Sequence, residues 1–214
     1  MKEIINPEQK KYIESFNLET DPFILGMEEF ARKNNVPILT RDSAKLIELL
    51  IKMYKPTRIL EIGTAIAYTT IRIAKASGKK CSVHTIEFSK DNEKLAKQNI
   101  KKAKLSKKIK LLSGDALKIM PRLNKKYDFI FLDADKEDYL KLLRLSLKLL
   151  KKGGVIFVDN LLWHGFAAAS EVPEKYIVST KYIRDFNKLF TGNKQLQATI
   201  LPVGDGIGLG IKLK

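Results

Sequence analysis

The sequence predicts an α/β protein built on a doubly wound, mostly parallel sheet of seven strands, with an antiparallel C-terminal hairpin and extra N-terminal helices. Three observations lead to it. After Pro56, short and almost continuously apolar runs alternate with stretches of helical period, the pattern of parallel strands buried on both faces. Near the C-terminus two strand-like runs flank Gly204, Asp205 and Gly206, a turn composition that closes hairpins. Before Pro56 the apolar spacing is helical.

In chain order, helices are expected around 8 to 16 and 22 to 34, and in "DSAKLIELLIKMY", where Asp42 or Ser43 can serve as N-cap. Five strands follow: RILEI, CSVHTIE, KIKLLS, YDFIFLD and GGVIFVD. Between them helices are expected near 66 to 77, 89 to 104, 115 to 123 and 136 to 150, with Ser89 and Asp115 as plausible caps. A loop, "NLLWHGFAAASEVPEK", leads to an amphipathic helix near 174 to 190, and "LQATILPV" and "IGLGIKL" form the hairpin. No repeat or linker interrupts the 214 residues, so a single domain is expected, with 1 to 55 as a helical cap and 56 to 214 as the core.

No apolar run approaches the ~20 residues that span a bilayer, and the N-terminus has no signal-peptide pattern. A soluble, cytoplasmic protein is expected. The single cysteine, Cys81, cannot form an internal disulfide and suits a reducing compartment. The net charge of +16 attracts nucleic acid or anionic surfaces. From Arg72 to Lys126 there are seventeen Lys and Arg against four Asp and Glu, which is +13 of that total. A lysine-biased, solvated surface explains the same excess without any partner.

Ligands of open parallel sheets bind beyond the carboxyl ends of the strands. Those ends carry Glu61 and Gly63, Glu87, Gly114 and Asp115, Asp133, and Asp159 with Asn160. A lone acid there usually caps a helix, but five on one edge point to a ligand. In the G-x-G-x-x-G register that begins at Gly63, Ala65 and Tyr68 replace the later glycines, which disfavours a pyrophosphate. Glu61 also repels phosphate but suits an ammonium or sulfonium, and Glu87 sits where an acid binds ribose hydroxyls. The ligand expected is a nucleoside with a positive end.

From about residue 36 onward, the stretches "ILEIGTAIAYTTI", "IEFS", "GDA", "FIFLDADKEDY", "DNLLWHG" and "LPVGDGIGLGIK" resemble the bacterial cation-dependent O-methyltransferases related to catechol O-methyltransferase. The resemblance implies a class I, Rossmann-like methyltransferase fold that uses S-adenosylmethionine and Mg2+. It places Glu61, Gly63, Tyr68 and Thr69 at the methionine end, Glu87 on the ribose and Asp115 with Ala116 on the adenine, while Ile38, Phe88 and Asp133 complete the cofactor set. Asp133, Asp159 and Asn160 offer oxygen ligands only, as hard cations prefer, and the resemblance puts the metal on these same residues. Lys136 matches the family's general base, a role that a nearby dication favours. Ala65 and Ala67 stand where many relatives have glycine, which leaves the path of the loop open.

Two adjacent oxygens on the substrate would complete the metal shell, and both catechols and 5-hydroxyuridine have them. "VPIL", "TAIAY" and "KYIRDFNKLF" most resemble the tRNA 5-hydroxyuridine methyltransferases, which implies 5-methoxyuridine formation at the wobble position and the tRNA anticodon loop as partner. Lys175, Lys181, Arg184, Lys188 and Arg41 are then candidate phosphate contacts. Trp163 either covers the substrate or anchors packing, His164 belongs to a loop, and His84 is structural. Competing readings are a small-molecule catechol-type O-methyltransferase and a non-catalytic RNA-binding protein. Relatives are commonly dimers, so a homodimer is expected.

Overall fold

The structure, a computed structural model, describes residues 6 to 214. Three helices open it: α1 (Pro7–Phe16), α2 (Pro22–Lys33) and α3 (Arg41–Tyr54). Asn6 and Asp21 cap α1 and α2 through their side-chain oxygens, each followed by a proline that suits the first helical turn. The cap of α3 is Thr40 rather than Asp42 or Ser43, because the Thr40 hydroxyl accepts from the Ser43 amide and draws both candidates into the first turn.

The core then runs β1 (Arg58–Ile62), α4 (Tyr68–Ala76), β2 (Ser82–Glu87), α5 (Lys90–Lys102), β3 (Ile109–Ser113), α6 (Ala116–Ile119), β4 (Tyr127–Leu132), α7 (Tyr139–Leu149), β5 (Leu150–Val158), α8 (Ile177–Thr191), β6 (Leu196–Leu201) and β7 (Ile207–Lys212). Ser89 and Asp115 cap α5 and α6 as expected. The helices expected from 136 and 174 each begin with a 3-10 turn, Lys136–Asp138 and Glu174–Tyr176. The strands form one seven-stranded sheet in the order β3-β2-β1-β4-β5-β7-β6, with β7 antiparallel to both of its neighbours.

Strand alternation divides the core between the two faces of the sheet. Ile59, Phe129, Phe131 and Phe157 pack beneath α2 to α5, while Leu60, Ile62, Ile130 and Ile156 pack against α7 and α8. Burying each such side chain stabilises the fold by about 1.5 to 3 kcal/mol. Winding reverses between β1 and β4, so the crevice that an open sheet offers a ligand lies over Ile62 and Leu132. Among the described residues no helix is long and apolar enough to cross a membrane.

The N-terminal helices are fastened by a buried cation. Arg72 of α4 is 2% exposed, and its guanidinium meets Glu19 at 2.7 Å and Glu48 at 2.7 Å. It also donates to the Tyr68 hydroxyl at 2.9 Å, which in turn donates to Glu28 at 2.8 Å. Removing one partner from such a pair costs about 3 to 5 kcal/mol, because the other charge is left buried and unmatched.

Candidate active site

The turn after β1 approaches the end of β4 so closely that only glycine fits. Gly63 has φ +96°, and a Cβ there would stand 1.7 Å from the Asp133 carbonyl oxygen. The next residues keep a path that glycine would follow easily: Ala65 and Ala67 have φ of 46° and 67°. Left-handed alanine costs about 1 to 2 kcal/mol. Glu87 braces this bend, since its carboxylate accepts from the amides of Thr64 at 3.1 Å, Ala65 at 2.8 Å and Ser89 at 2.8 Å. One donor on Oε1 leaves a lone pair for a further hydroxyl.

Glu61 is fully buried beneath the same bend. Its Oε2 accepts from the Thr70 hydroxyl and, at 2.6 Å, from that of Thr85, whereas Oε1 has no partner. Burial pushes its carboxyl up to about 8, and the Asp133 and Glu87 carboxylates act in the same direction. A cationic ligand beside it would reverse that cost.

The expected cofactor residues fall into two groups. Gly63, Thr69, Glu87, Asp115, Ala116 and Asp133 lie at or just beyond the carboxyl ends of β1 to β4, and Phe88, 77% exposed, projects beside them. Asp115 spends one oxygen on the Leu117 amide at 2.8 Å. Ile38 is half-buried against the core of the α2 to α5 face. The Tyr68 side chain departs from expectation: its ring is buried and its hydroxyl serves the Glu28 and Arg72 network rather than the crevice.

At the ends of β4 and β5 the predicted metal residues and the predicted base come together. Lys136 is 10% exposed along its side chain, and its Nζ donates to Asn160 Oδ1 at 2.7 Å, the Tyr139 hydroxyl at 2.7 Å, the Ala134 carbonyl at 3.1 Å and Asp133 Oδ1 at 3.4 Å. The Asp159 Oδ1 is buried without a partner. Burial, and then the Asp133 charge, push the Asp159 carboxyl up to about 7. Among the described residues no group of three or more carboxylate, imidazole or thiol side chains could hold a metal, and the Asn160 amide oxygen is a further oxygen that the cluster offers beside its carboxylates.

Asp205 belongs to this cluster and was not foreseen. Its carboxylate accepts from the His164 amide at 2.6 Å and from Asn160 Nδ2 at 3.4 Å. Antiparallel pairing of Val158 with Gly208 carries the Gly-Asp-Gly turn to the end of β5. The hairpin itself was legible, whereas its pairing with β5, which brings Asp205 here, was not.

Above Lys136 lies an aromatic wall. The ammonium is 5.5 Å from the Trp163 ring centroid, and Trp163 meets Tyr176 edge-on at 6.2 Å. The Trp163 indole donates to Ser179 Oγ at 3.0 Å. Asn160, Trp163 and His164 all have positive φ, so the loop is held in an uncommon conformation. Two expected phosphate contacts have other duties. Arg184 donates to the carbonyls of Ala167 at 3.0 Å, Phe166 at 3.0 Å and Ala169, stapling that loop to α8. Arg41 is paired with Glu28 at 2.5 Å. Lys175, Lys181 and Lys188 are exposed, whereas the dense basic stretch follows α5, β3 and α6, at the far edge of the sheet from β5.

Residues 16 to 213 match the O-methyltransferase family profile. A caffeoyl-CoA O-methyltransferase of Medicago sativa is 33% identical over 192 residues, covering 84% of this chain and 76% of that protein. A Staphylococcus aureus structure described provisionally as a caffeoyl-CoA O-methyltransferase superposes with a TM-score of 0.89 at 31% identity, over 95% of this chain and 99% of that one. A Bacillus cereus O-methyltransferase in complex with SAH gives 0.83 at 26% identity, over 94% and 96% of the two chains. With the crevice at the β1 and β4 switch point and the polar cluster at the ends of β4 and β5, these matches show that the chain belongs to the S-adenosylmethionine-dependent O-methyltransferase family.

Proposed function

We propose that this enzyme methylates one of two adjacent hydroxyl oxygens on a small aromatic molecule, a catechol-type reaction assisted by a divalent cation. The observation that carries the reading is the convergence of Asp133 Oδ1 and Asn160 Oδ1 on Lys136, within the field of the neighbouring Asp159 carboxylate, whose Oδ1 is buried and unpartnered. An oxygen-only set with two carboxylates fits a hard cation such as Mg2+. Bound there, the cation would supply a template for two neighbouring oxygens and would lower the pKa of the hydroxyl. Relatives named for caffeoyl-CoA, whose caffeoyl group has two adjacent phenolic hydroxyls, favour the same substrate class.

The chain's own residues divide the remaining work. The Lys136 side chain, held by Tyr139 and Asn160, would in its neutral amine form take the hydroxyl proton. The substrate oxygen would bond the methyl carbon as the carbon–sulfur bond of the sulfonium breaks and the neutral thioether S-adenosylhomocysteine leaves. Buried Glu61 favours the positive methionine end of the cofactor, and the spare lone pair of Glu87 receives a ribose hydroxyl. The Trp163 ring walls the aromatic substrate and keeps water from the reacting oxygen.

A second reading, methylation of 5-hydroxyuridine in a tRNA anticodon loop, is favoured by the net charge of +16. Against it stand the internal engagement of Arg41 and Arg184. Incubation with S-adenosylmethionine, Mg2+ and either an ortho-diphenol or tRNA containing 5-hydroxyuridine separates the two by mass spectrometry. We expect the aryl methyl ether; 5-methoxyuridine without aryl ether would reverse the choice. We further infer a homodimer, because α1 buries no residue of its own and Tyr12, Phe16, Leu18 and Met53 are exposed on the N-terminal helices and their connection. Sedimentation should give twice the 24.3 kDa chain mass.

A further inference from the structure

A cavity of about 360 Å3 opens at the opposite end of the sheet, where α3 and α4 finish and β1 and β2 begin. It is separated from the cofactor crevice by the length of β1, roughly 16 Å at the usual rise per residue. Its volume falls in the range of small-molecule sites. Ile51, Pro56, Ala76 and Cys81 give it an apolar lining, and Lys52, Lys55 and Lys80 also line it. Nothing in the methyl-transfer chemistry uses any of these residues.

The charge of this cavity is unbalanced. Among the described residues Lys52, Lys55 and Lys80 make no ion pair and no side-chain hydrogen bond. The C-terminal ends of α3 and α4 face the same region and bring about half a negative charge each. The nearby Asp128 carboxylate is already spent on the amides of Thr57 and Arg58 and on Lys151. Three full positive charges therefore outweigh the helix ends.

We propose that this cavity is a second, non-catalytic site for a small amphiphilic anion, an aryl carboxylate or sulfonate whose ring lies on the apolar lining and whose anionic group meets the three lysines. Hydrocarbon burial supplies the affinity and the lysines select for charge. The glycine at position 78 offers a clean way to close the site. A Cβ on Gly78 would meet nothing within 4 Å, and its φ lies outside the positive range, so a larger side chain projects into open space without straining the backbone.

The test titrates 1-anilinonaphthalene-8-sulfonate, read by fluorescence, into the full-length protein saturated with S-adenosylhomocysteine, so that the cofactor crevice is filled. We expect one equivalent to bind, with at least tenfold weaker affinity in Gly78→Leu and in Lys52→Gln/Lys80→Gln. The uncharged parent, 1-anilinonaphthalene, should also bind at least tenfold more weakly. Both variants should keep the parent's thermal midpoint and its methyl-transfer rate, which separates this proposal from the catalytic assignment. Absence of binding, or binding unaltered by either variant, or displacement of the dye by S-adenosylhomocysteine would overturn the second site. Should Gly78→Leu lose its fold, the lysine pair alone decides.

Discussion

The ammonium of Lys136 lies 2.7 Å from the Asn160 amide oxygen and 3.4 Å from Asp133 Oδ1. The proposed base thus holds the oxygens proposed for the cation, and the two positive groups compete for the same acceptors. Lys136→Met should lower kcat by about 10² to 10⁴. The affinity for a divalent cation should rise in the same variant, and that for S-adenosylmethionine should stay within about twofold. Stopped-flow turnover and a manganese titration followed by electron paramagnetic resonance measure the two effects separately. A variant with weaker cation binding would show that Lys136 supports the ligand set instead.

Gly63→Ala should be strongly damaging, because the new methyl would overlap the Asp133 carbonyl at a positive φ. Backbone strain and overpacking each contribute about 1 to 3 kcal/mol. Denaturant unfolding should show the loss, and calorimetry should find S-adenosylmethionine binding abolished.

Ala67→Gly should act in the opposite direction. At φ 67° glycine relieves left-handed strain. Part of that gain is offset by the freer unfolded chain, leaving about 0.5 to 1 kcal/mol of added stability. Equal or lower stability in urea unfolding would show that the Ala67 methyl, fully buried in the core, contributes more than its backbone costs.

Glu61 sets a pH dependence on the ligand-free protein. Its carboxyl is raised from 4.5 to about 8 by burial, so between these values the folded state holds a proton that the unfolded state has released. Stability from this group is present below the unfolded pKa and is lost as pH rises through about 8. At about 1.4 kcal/mol per unit the upper bound is roughly 5 kcal/mol. Glu61→Gln should flatten this slope and raise stability at pH 9, while weakening S-adenosylmethionine binding at least tenfold. Parallel stability curves for the two proteins from pH 5 to pH 9 would place the titration elsewhere.

The order of strands and helices was legible because each parallel strand is a continuous apolar run and each crossover has a helical period. Ser89 and Asp115 were readable as caps, each a short polar side chain that follows closely on the end of a strand. Thr40 was hidden by two competing candidates beside it. The acids at the strand ends marked the crevice, because topology alone carries them there. What lay beyond reach was pairing across the fold. Arg184 and Arg41 read as surface cations, and only the folded chain gives one of them three carbonyls and the other Glu28. Tyr68 reads as a residue of the methionine end until α2 is docked beside it and Glu28 accepts from its hydroxyl.

The most direct test of the central claim compares an ortho-diphenol with the matching monophenol, each with S-adenosylmethionine and with either Mg2+ or a chelator, using mass spectrometry to count methyl ethers. Two adjacent oxygens and a cation held by Asp133, Asp159 and Asn160 predict a methyl ether from the diphenol only, and only when Mg2+ is present. Equal methylation of both phenols in chelator would contradict the account.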